Sequence, residues 1–482
     1  MSTARRGVKT HPPTVTVTTD AKTSEQVKYE KMWDIDDYRV VSPGEQSGHL
    51  FLQHARPMKD STCIDFGCGT GRGGLMIALF GNMVVTLVDF AENALDEDVR
   101  NACVTQPTRI SWLQADLNKP LPIHAAYGYC TDVMEHIPPD EVDRVLGTIL
   151  RAAQHVFFQI ATEDDVMGER IGESLHLSVN SYAWWLKKLR DHGVAVHWSQ
   201  NYDDRMCQFY VSNWTKHDDV VVDGRVNTEI EICEQHMREN AKTDYQLIQP
   251  HVTQDTEIMM ICGGPSLNDF TDEIIELRAK GMPMITTNGT YNWAIANGMN
   301  PSMQLMIDAR EFNKRFVRPV VDGCKYVLAG QCHPKVFEGL PIDRTYIWHV
   351  GLATELSEVL DELYEIWYPC PGGSTVTLRG LLLLRMLGFH KIHMYGFDSC
   401  YRDDAHHAYD QPENDFRSKR IPVSVGGRVF MCDGWMYSQA REFIQIIAKF
   451  GDEISLNVKG DGLIAHIINT GAEMGALEED ED

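Results

Sequence analysis

The sequence lacks long apolar runs, paired cysteines and a surplus of positive charge. No stretch approaches the ~18 apolar residues that cross a bilayer, so no membrane span is expected. The first 25 residues are polar and lack the apolar core of a secretory signal. The 12 cysteines are scattered, without the paired CxxC spacing of a thiol-ligated site. Several, such as Cys63 and Cys262, lie inside apolar runs. They read as small buried hydrophobes in a reducing compartment, which favours a cytoplasmic setting and argues against zinc. Lys and Arg number 44 against 69 Asp and Glu, a formal net charge of −25. A surface that acidic repels nucleic-acid backbones and favours small-molecule or protein chemistry.

What is present is length and alternation. A chain of 482 residues exceeds one core and suits two or three domains. Residues 1–25 are expected to be a disordered leader, lacking apolar periodicity. Across residues 26–215, buried-strand patterns at Thr62–Phe66, Val84–Asp89, Ile110–Gln114, Ala126–Cys130 and Val156–Ile160 alternate with helix-like segments. Residues 216–227 read as a charged linker. A second series fills residues 228–470. A helix at Glu229–Ile248 leads into strands at Glu257–Cys262, Pro283–Thr287, Met303–Ile307, Lys325–Ala329, Lys391–Tyr395 and Ile454–Val458. Residues 471–482 form an acidic tail. The alternation predicts an α/β fold: two tandem Rossmann-like domains, each a mostly parallel sheet with helices on both faces.

The first candidate site is Asp65-Phe66-Gly67-Cys68-Gly69-Thr70-Gly71, after a strand and before a helix. Glycines let the backbone turn tightly and approach a ligand. Asp65 can accept from a cationic amino-acid headgroup. Asp89, ending the next strand, can grip ribose hydroxyls. Asp116 can accept from an adenine amine, and Asp132 to Ile137 follow the fourth strand on the ligand edge. Gly69, Gly71 and Gly74 also fit the GxGxxG of a dinucleotide enzyme. An acid ahead of the glycines would repel a pyrophosphate, and the acids after the third and fourth strands are unexplained by that alternative. His136 or Glu135 could serve as a base near the transferred group, or simply open a helix. Trp184 and Trp185 read as core.

The second candidate site is Gly263-Gly264-Pro265-Ser266, again between strand and helix, echoed by Gly372-Gly373-Ser374-Thr375. Exposed backbone N–H groups and serine hydroxyls at helix starts suit phosphate. Asn288, Asp308 and Asp398 sit at strand ends, where parallel sheets bind ligands. Asp308 could hold Mg²⁺ against phosphate oxygens. His406 and His407 lie in the polar loop Cys400–Asn414, where one could act as acid or base.

The first set of motifs resembles the class I S-adenosylmethionine-dependent methyltransferases over about residues 45–215. The resemblance implies that Asp65, Gly67 and Gly69 surround the methionine moiety, with Gly71 in the same turn. It implies Asp89 on the ribose, Asp116 on the adenine and Asp132 at the methyl-transfer mouth. The second set is similar to the family joining Maf glycosyltransferases and MptE-like 6-hydroxymethylpterin pyrophosphokinases, over about residues 228–470. It implies that Gly264, Ser266, Asn288 and Ser374 touch a nucleotide-linked donor, with Gly263 and Gly373 in the same turns and His407 near the reacting centre. The leading expectation is a bifunctional transferase. One half methylates a small molecule or glycan, and the other uses a CMP-nonulosonate-type sugar. The rivals for the second half are an ATP-dependent pyrophosphokinase and a non-catalytic module that recruits the methyltransferase.

Overall fold

The computed structural model describes residues 23–40, 42–213, 228–351, 354–411, 419–472 and 474. Most of the expected leader, the expected linker and the tail Glu478–Asp482 lie outside these residues. The leader ends earlier than the sequence suggests. Thr23 accepts a hydrogen bond from the Gln26 amide and caps helix α1 (Ser24–Trp33), which α2 (Asp36–Val40) and α3 (Pro43–Ala55) follow.

The first sheet has seven strands: β1 (Thr62–Phe66), β2 (Val84–Asp89), β3 (Ile110–Gln114), β4 (Ala125–Thr131), β5 (Ala153–Ala161), β6 (Ala195–Tyr202) and β7 (Met206–Ser212). Their order is β3-β2-β1-β4-β5-β7-β6. The first five pair in parallel, and β7 runs antiparallel to both β5 and β6. The β6–β7 hairpin was illegible in the sequence because β6 is half-exposed and carries Ser199, Gln200 and Asn201. Helix α4 (Arg72–Phe80) follows the glycine turn.

The second sheet comprises β8 (Gln246–Leu247), β9 (Gln254–Ile261), β10 (Met284–Thr287), β11 (Met303–Met306), β12 (Lys325–Ala329), β13 (Thr345–Val350), β14 (Pro369–Cys370), β15 (Phe389–Tyr395) and, last in the chain, Ser455–Val458. Its order is β14-β13-β12-β11-β10-β9-β15 and then the Ser455–Val458 strand, with β8 beside β13. Every pair is parallel. The helix expected at Glu229–Ile248 stops at Asn240, because the chain beyond it turns to pair β8 with β13. The helix Val376–Met386 is buried along almost its full length, which explains its unbroken leucines. Both halves are therefore α/β with mostly parallel sheets, as the alternation predicts.

Sheet order reverses between β1 and β4 in the first half, and between β9 and β15 in the second. Open α/β sheets bind ligands at such a switch point, outside the carboxyl ends of the strands. Both glycine turns leave the sheet there. All 12 cysteines are free and ten are buried, consistent with their reading as small hydrophobes. Trp185 is buried in the first core with Trp184 against it. Among the described residues no helix is long and apolar enough to cross a membrane.

Candidate active sites

The first cavity encloses about 390 Å³ and gathers Asp65, Gly67, Gly69, Asp89, Asp116, Asp132 and His136. Gly67 (φ 64°) and Gly69 (φ 50°) lie in the left-handed region, where a side chain is strained. A Cβ on Gly69 would lie 2.8 Å from the Trp33 ring. Gly71 departs from expectation. It is outside the cavity lining and starts α4, its missing side chain making room for Leu95 and Val99.

Asp89 is held at both oxygens, by the Gly69 amide (2.9 Å) and the Ala91 amide (2.9 Å). Burial raises its carboxyl even so. Asp65 is almost completely buried, and burial pushes its carboxyl to about 7 against the pull of the Gly74 amide. Neither has a cationic side-chain partner among the described residues. Eight carboxylates line this cavity, and no described Lys or Arg does. Buried acids without a counter-charge call for a cationic ligand. The ammonium and sulfonium of S-adenosylmethionine meet that demand.

Asp132 follows β4 in a left-handed conformation (φ 54°) and accepts from Gln159 Nε2 at 3.1 Å. A non-glycine residue is held in that conformation only by its surroundings, and such strain clusters at functional sites. His136 is fixed through Nδ1, 2.7 Å from the Tyr29 hydroxyl and 3.1 Å from the Leu175 carbonyl. Burial lowers it to about 3, so it is neutral at physiological pH. Glu135 is fully buried outside the lining and accepts from the Ala161 amide at 2.8 Å. Asp116 accepts from the Asn118 amide at 2.9 Å. The sequence reading missed Tyr29, Trp33 and Tyr38, which roof the cavity from α1 and α2. Their signal was the aromatic density of a segment just upstream of the sheet.

The second cavity encloses about 660 Å³ and gathers Gly263, Gly264, Asn288, Asp308, Gly373, Ser374, His406 and His407. Its electrostatics differ from expectation. Both anion cradles already hold a carboxylate of the chain itself. Asp398 accepts from the Ser266 amide at 2.8 Å, and Ser266 is fully buried outside the lining. Glu442 accepts from the Ser374 amide (2.8 Å) and hydroxyl (2.9 and 3.0 Å). Carboxylates satisfy helix-start donors as well as phosphate does, and these are permanently supplied. The Ser374 amide and hydroxyl are therefore bonded internally, as is the Ser266 amide, while the buried Ser266 hydroxyl has no hydrogen-bond partner among the described residues.

Asp308 is likewise occupied. The Arg310 guanidinium contacts both its oxygens at 2.5–3.1 Å, and the Arg310 amide adds a bond at 2.9 Å. It is an arginine-paired carboxylate rather than an open Mg²⁺ ligand. Among the described residues it belongs to no cluster of three metal-type donors. The residues that favour an anion here went unnoticed in the sequence: Arg310 and the buried Arg379, both in the lining. Arg379 donates to the Cys370 carbonyl at 3.0 Å, and burial lowers its guanidinium only to about 10, so it stays charged. Asn288 follows β10 in a left-handed conformation (φ 47°), as Asp132 follows β4, and its buried Oδ1 has no hydrogen-bond partner among the described residues. His406 and His407 face one another Nδ1 to Nδ1 at 2.5 Å. Their loop is pinned by the Ala408 amide on the Gly263 carbonyl (2.9 Å), and Tyr409 packs where Gly263 and Gly289 lack side chains.

These two cavities, each at the switch point of a parallel sheet, define an α/β protein with two candidate ligand sites: among the described residues the first is lined by carboxylates without Lys or Arg, and the second by carboxylates and arginines together. Comparison with known families assigns each half. Residues 63–155 match the family model of a methyltransferase domain, and residues 231–404 match that of the 6-hydroxymethylpterin diphosphokinase MptE-like proteins. The chain carries a methyltransferase domain in its N-terminal region and an MptE-like domain in its C-terminal region. No curated protein sequence matches the chain. Among solved structures, the magnesium protoporphyrin IX methyltransferase ChlM of Synechocystis PCC 6803 is 15% identical, with a TM-score of 0.32 over 40% of this chain and 100% of its own. The N-methyltransferase NodS of Bradyrhizobium japonicum WM9 is 15% identical, with a TM-score of 0.31 over 40% of this chain and 99% of its own. The Maf glycosyltransferase of Magnetospirillum magneticum AMB-1 is 14% identical, with a TM-score of 0.40 over 91% of this chain and 65% of its own.

Proposed function

We propose that the first cavity transfers a methyl group from S-adenosylmethionine to a small molecule or glycan. The observation that carries this reading is the pairing of Asp65 and Asp89, buried without counter-charge on one wall of a cavity free of described Lys and Arg. Asp65 receives the ammonium group. Asp89, oriented by two amides, receives the ribose hydroxyls, and Asp116 the adenine amine. The bound cofactor supplies an electrophilic methyl group on a sulfonium. Asp132 lines the mouth by which an acceptor enters. His136, neutral and bonded to Leu175, shapes that mouth rather than carrying charge. Methyl transfer needs little beyond alignment of nucleophile and sulfonium, and the roof of Tyr29, Trp33 and Tyr38 keeps water out. Calorimetry on the intact protein should show S-adenosylmethionine binding that Asp89→Ala weakens at least ~100-fold. Absence of binding by the unaltered protein would sink the reading.

For the second cavity we propose group transfer from a nucleotide-linked donor, with a CMP-nonulosonate-type sugar as the leading candidate. The support is the presence of the buried Arg379 and of Arg310 in the lining, with Asn288 Oδ1 unpartnered among the described residues. The donor phosphates meet these arginines, since Asp398 and Glu442 fill the amide cradles. His406 and His407, both in the cavity lining, serve as the acid–base pair. The competing pyrophosphokinase reading requires ATP as donor. Product analysis separates them: CMP release from a CMP-sugar is expected, whereas AMP release from ATP favours the kinase.

A further inference from the structure

We propose that Glu135, His136 and His176 form a binding site for a divalent first-row transition-metal ion in the wall of the first cavity, with open positions facing the methyl acceptor. One ligand atom from each residue lies within 4.8 Å of the other two, close enough that a small inward shift of the side chains brings all three onto a single ion with bonds of ~2.1 Å.

The geometry around each donor prepares it for a metal. His136 Nδ1 lies 3.1 Å from the Leu175 carbonyl, and His176 Nδ1 lies 2.7 Å from the Glu163 carbonyl. A carbonyl oxygen only accepts, so His176 carries its proton on Nδ1 and presents a lone pair on Nε2; His136 does the same when the Tyr29 hydroxyl, 2.7 Å from its Nδ1, accepts rather than donates. Fixing the tautomer through the far nitrogen is the usual support of a metal-bound histidine. Glu135 has one oxygen on the Ala161 amide. Its other oxygen, Oε2, is buried and has no hydrogen-bond partner among the described residues. A carboxylate oxygen left bare in a fully buried side chain is costly, and a bound cation removes that cost. The two rings meet edge to face with centroids 4.8 Å apart.

Two imidazoles and one carboxylate select Mn²⁺, Fe²⁺, Co²⁺ or Zn²⁺ over Mg²⁺ and Ca²⁺, which prefer oxygen-only cages. His136 and His176 line the first cavity while Glu135 backs it, so the vacant coordination positions face the acceptor space. The cavity's excess of carboxylates tolerates a dication near a sulfonium. If the methyltransferase reading holds, the acceptor reaches the ion through an oxygen, a 1,2-diol or hydroxy-carbonyl group being best suited.

The test uses the full chain freed of metal with EDTA and titrated with Co²⁺. One equivalent should bind with visible d–d absorption, and catechol should shift those bands by taking the open positions. His176→Ala and Glu135→Gln should each weaken Co²⁺ binding at least ~30-fold. Gln keeps the acceptor for Ala161, so its effect is not one of misfolding. No saturable Co²⁺ binding by the unaltered protein, or binding unchanged in both variants, overturns the site. Bands unmoved by catechol overturn the open positions. S-adenosylmethionine binding is measured on the metal-free protein, so failure of the cofactor reading and failure of the metal site register separately.

Discussion

Asp65 shows how a single side chain can be costly alone and useful with a ligand. Burial raises its folded-state carboxyl to about 7, from an ordinary value near 4. A raised carboxyl stabilises the fold only while protonated. That contribution is complete below about pH 4 and is lost as pH rises through about 7. The ligand-free protein is therefore penalised by Asp65 at pH 8, and Asp65→Asn removes the penalty. A three-unit shift corresponds to roughly 4 kcal/mol, from which loss of the Gly74 amide bond subtracts. Asp65→Asn should raise unfolding stability by about 1–3 kcal/mol at pH 8 and hardly at pH 5, read by chemical denaturation. The same variant should bind S-adenosylmethionine at least ~10-fold more weakly at pH 8. Equal stabilisation at both pH values would remove Asp65 ionisation as the cause.

At the scale of elements, the most legible parts were those whose signal is local. The strand patterns at Thr62–Phe66, Val84–Asp89, Ile110–Gln114 and Lys325–Ala329 coincide with β1, β2, β3 and β12. Each is a short apolar run ended by turn chemistry, which fixes its place in the sheet. β13 was missed because Thr345 and His349 interrupt an apolar run that burial on both faces nevertheless accepts. The two glycine turns also illustrate the limit of motif reading. Gly67 and Gly69 do border a cavity, as the motif suggests. Gly263 borders the second cavity too, but it also admits Tyr409 and His407, and the Gly372–Ser374 turn faces Glu442. Nothing local distinguishes a turn that awaits a ligand from one satisfied by a carboxylate 68 residues further along the chain.

At the scale of the molecule, the two sheets are joined by a buried polar knot. Glu453 accepts from Arg385 at 2.8 and 2.9 Å and lies 2.6 Å from His155 Nε2, on β5 of the first sheet. Gln154 donates to the Lys449 carbonyl at 3.1 Å, and Ser61 to the Asp452 carbonyl at 2.8 Å. Burial would raise the Glu453 carboxyl, but Arg385 and then His155 outweigh it and hold it below its ordinary value. A depressed carboxyl stabilises at neutral pH and loses that contribution as pH falls through the folded-state value. Glu453→Ala leaves Arg385 charged and buried, so the full chain should lose about 3–5 kcal/mol in denaturant unfolding at pH 7. A loss below ~1 kcal/mol would show that the Glu453 pairing is solvated and does not hold the halves together.

By itself the sequence determined two α/β units, their order, the two glycine turns that border a cavity and the acidic character of the first. These follow from short-range rules: apolar periodicity marks strands, and glycine after a strand marks the turn that lets a ligand approach. Tertiary structure alone decided which polar groups remain free. It closed Asp308 with Arg310 and both second-half cradles with Asp398 and Glu442. It left Asp65 and Asp89 without a counter-charge and brought His176 to Glu135 and His136. Charge pairing depends on distance in space, and a low-dielectric interior magnifies it, so residues far apart in the chain settle what each site can bind.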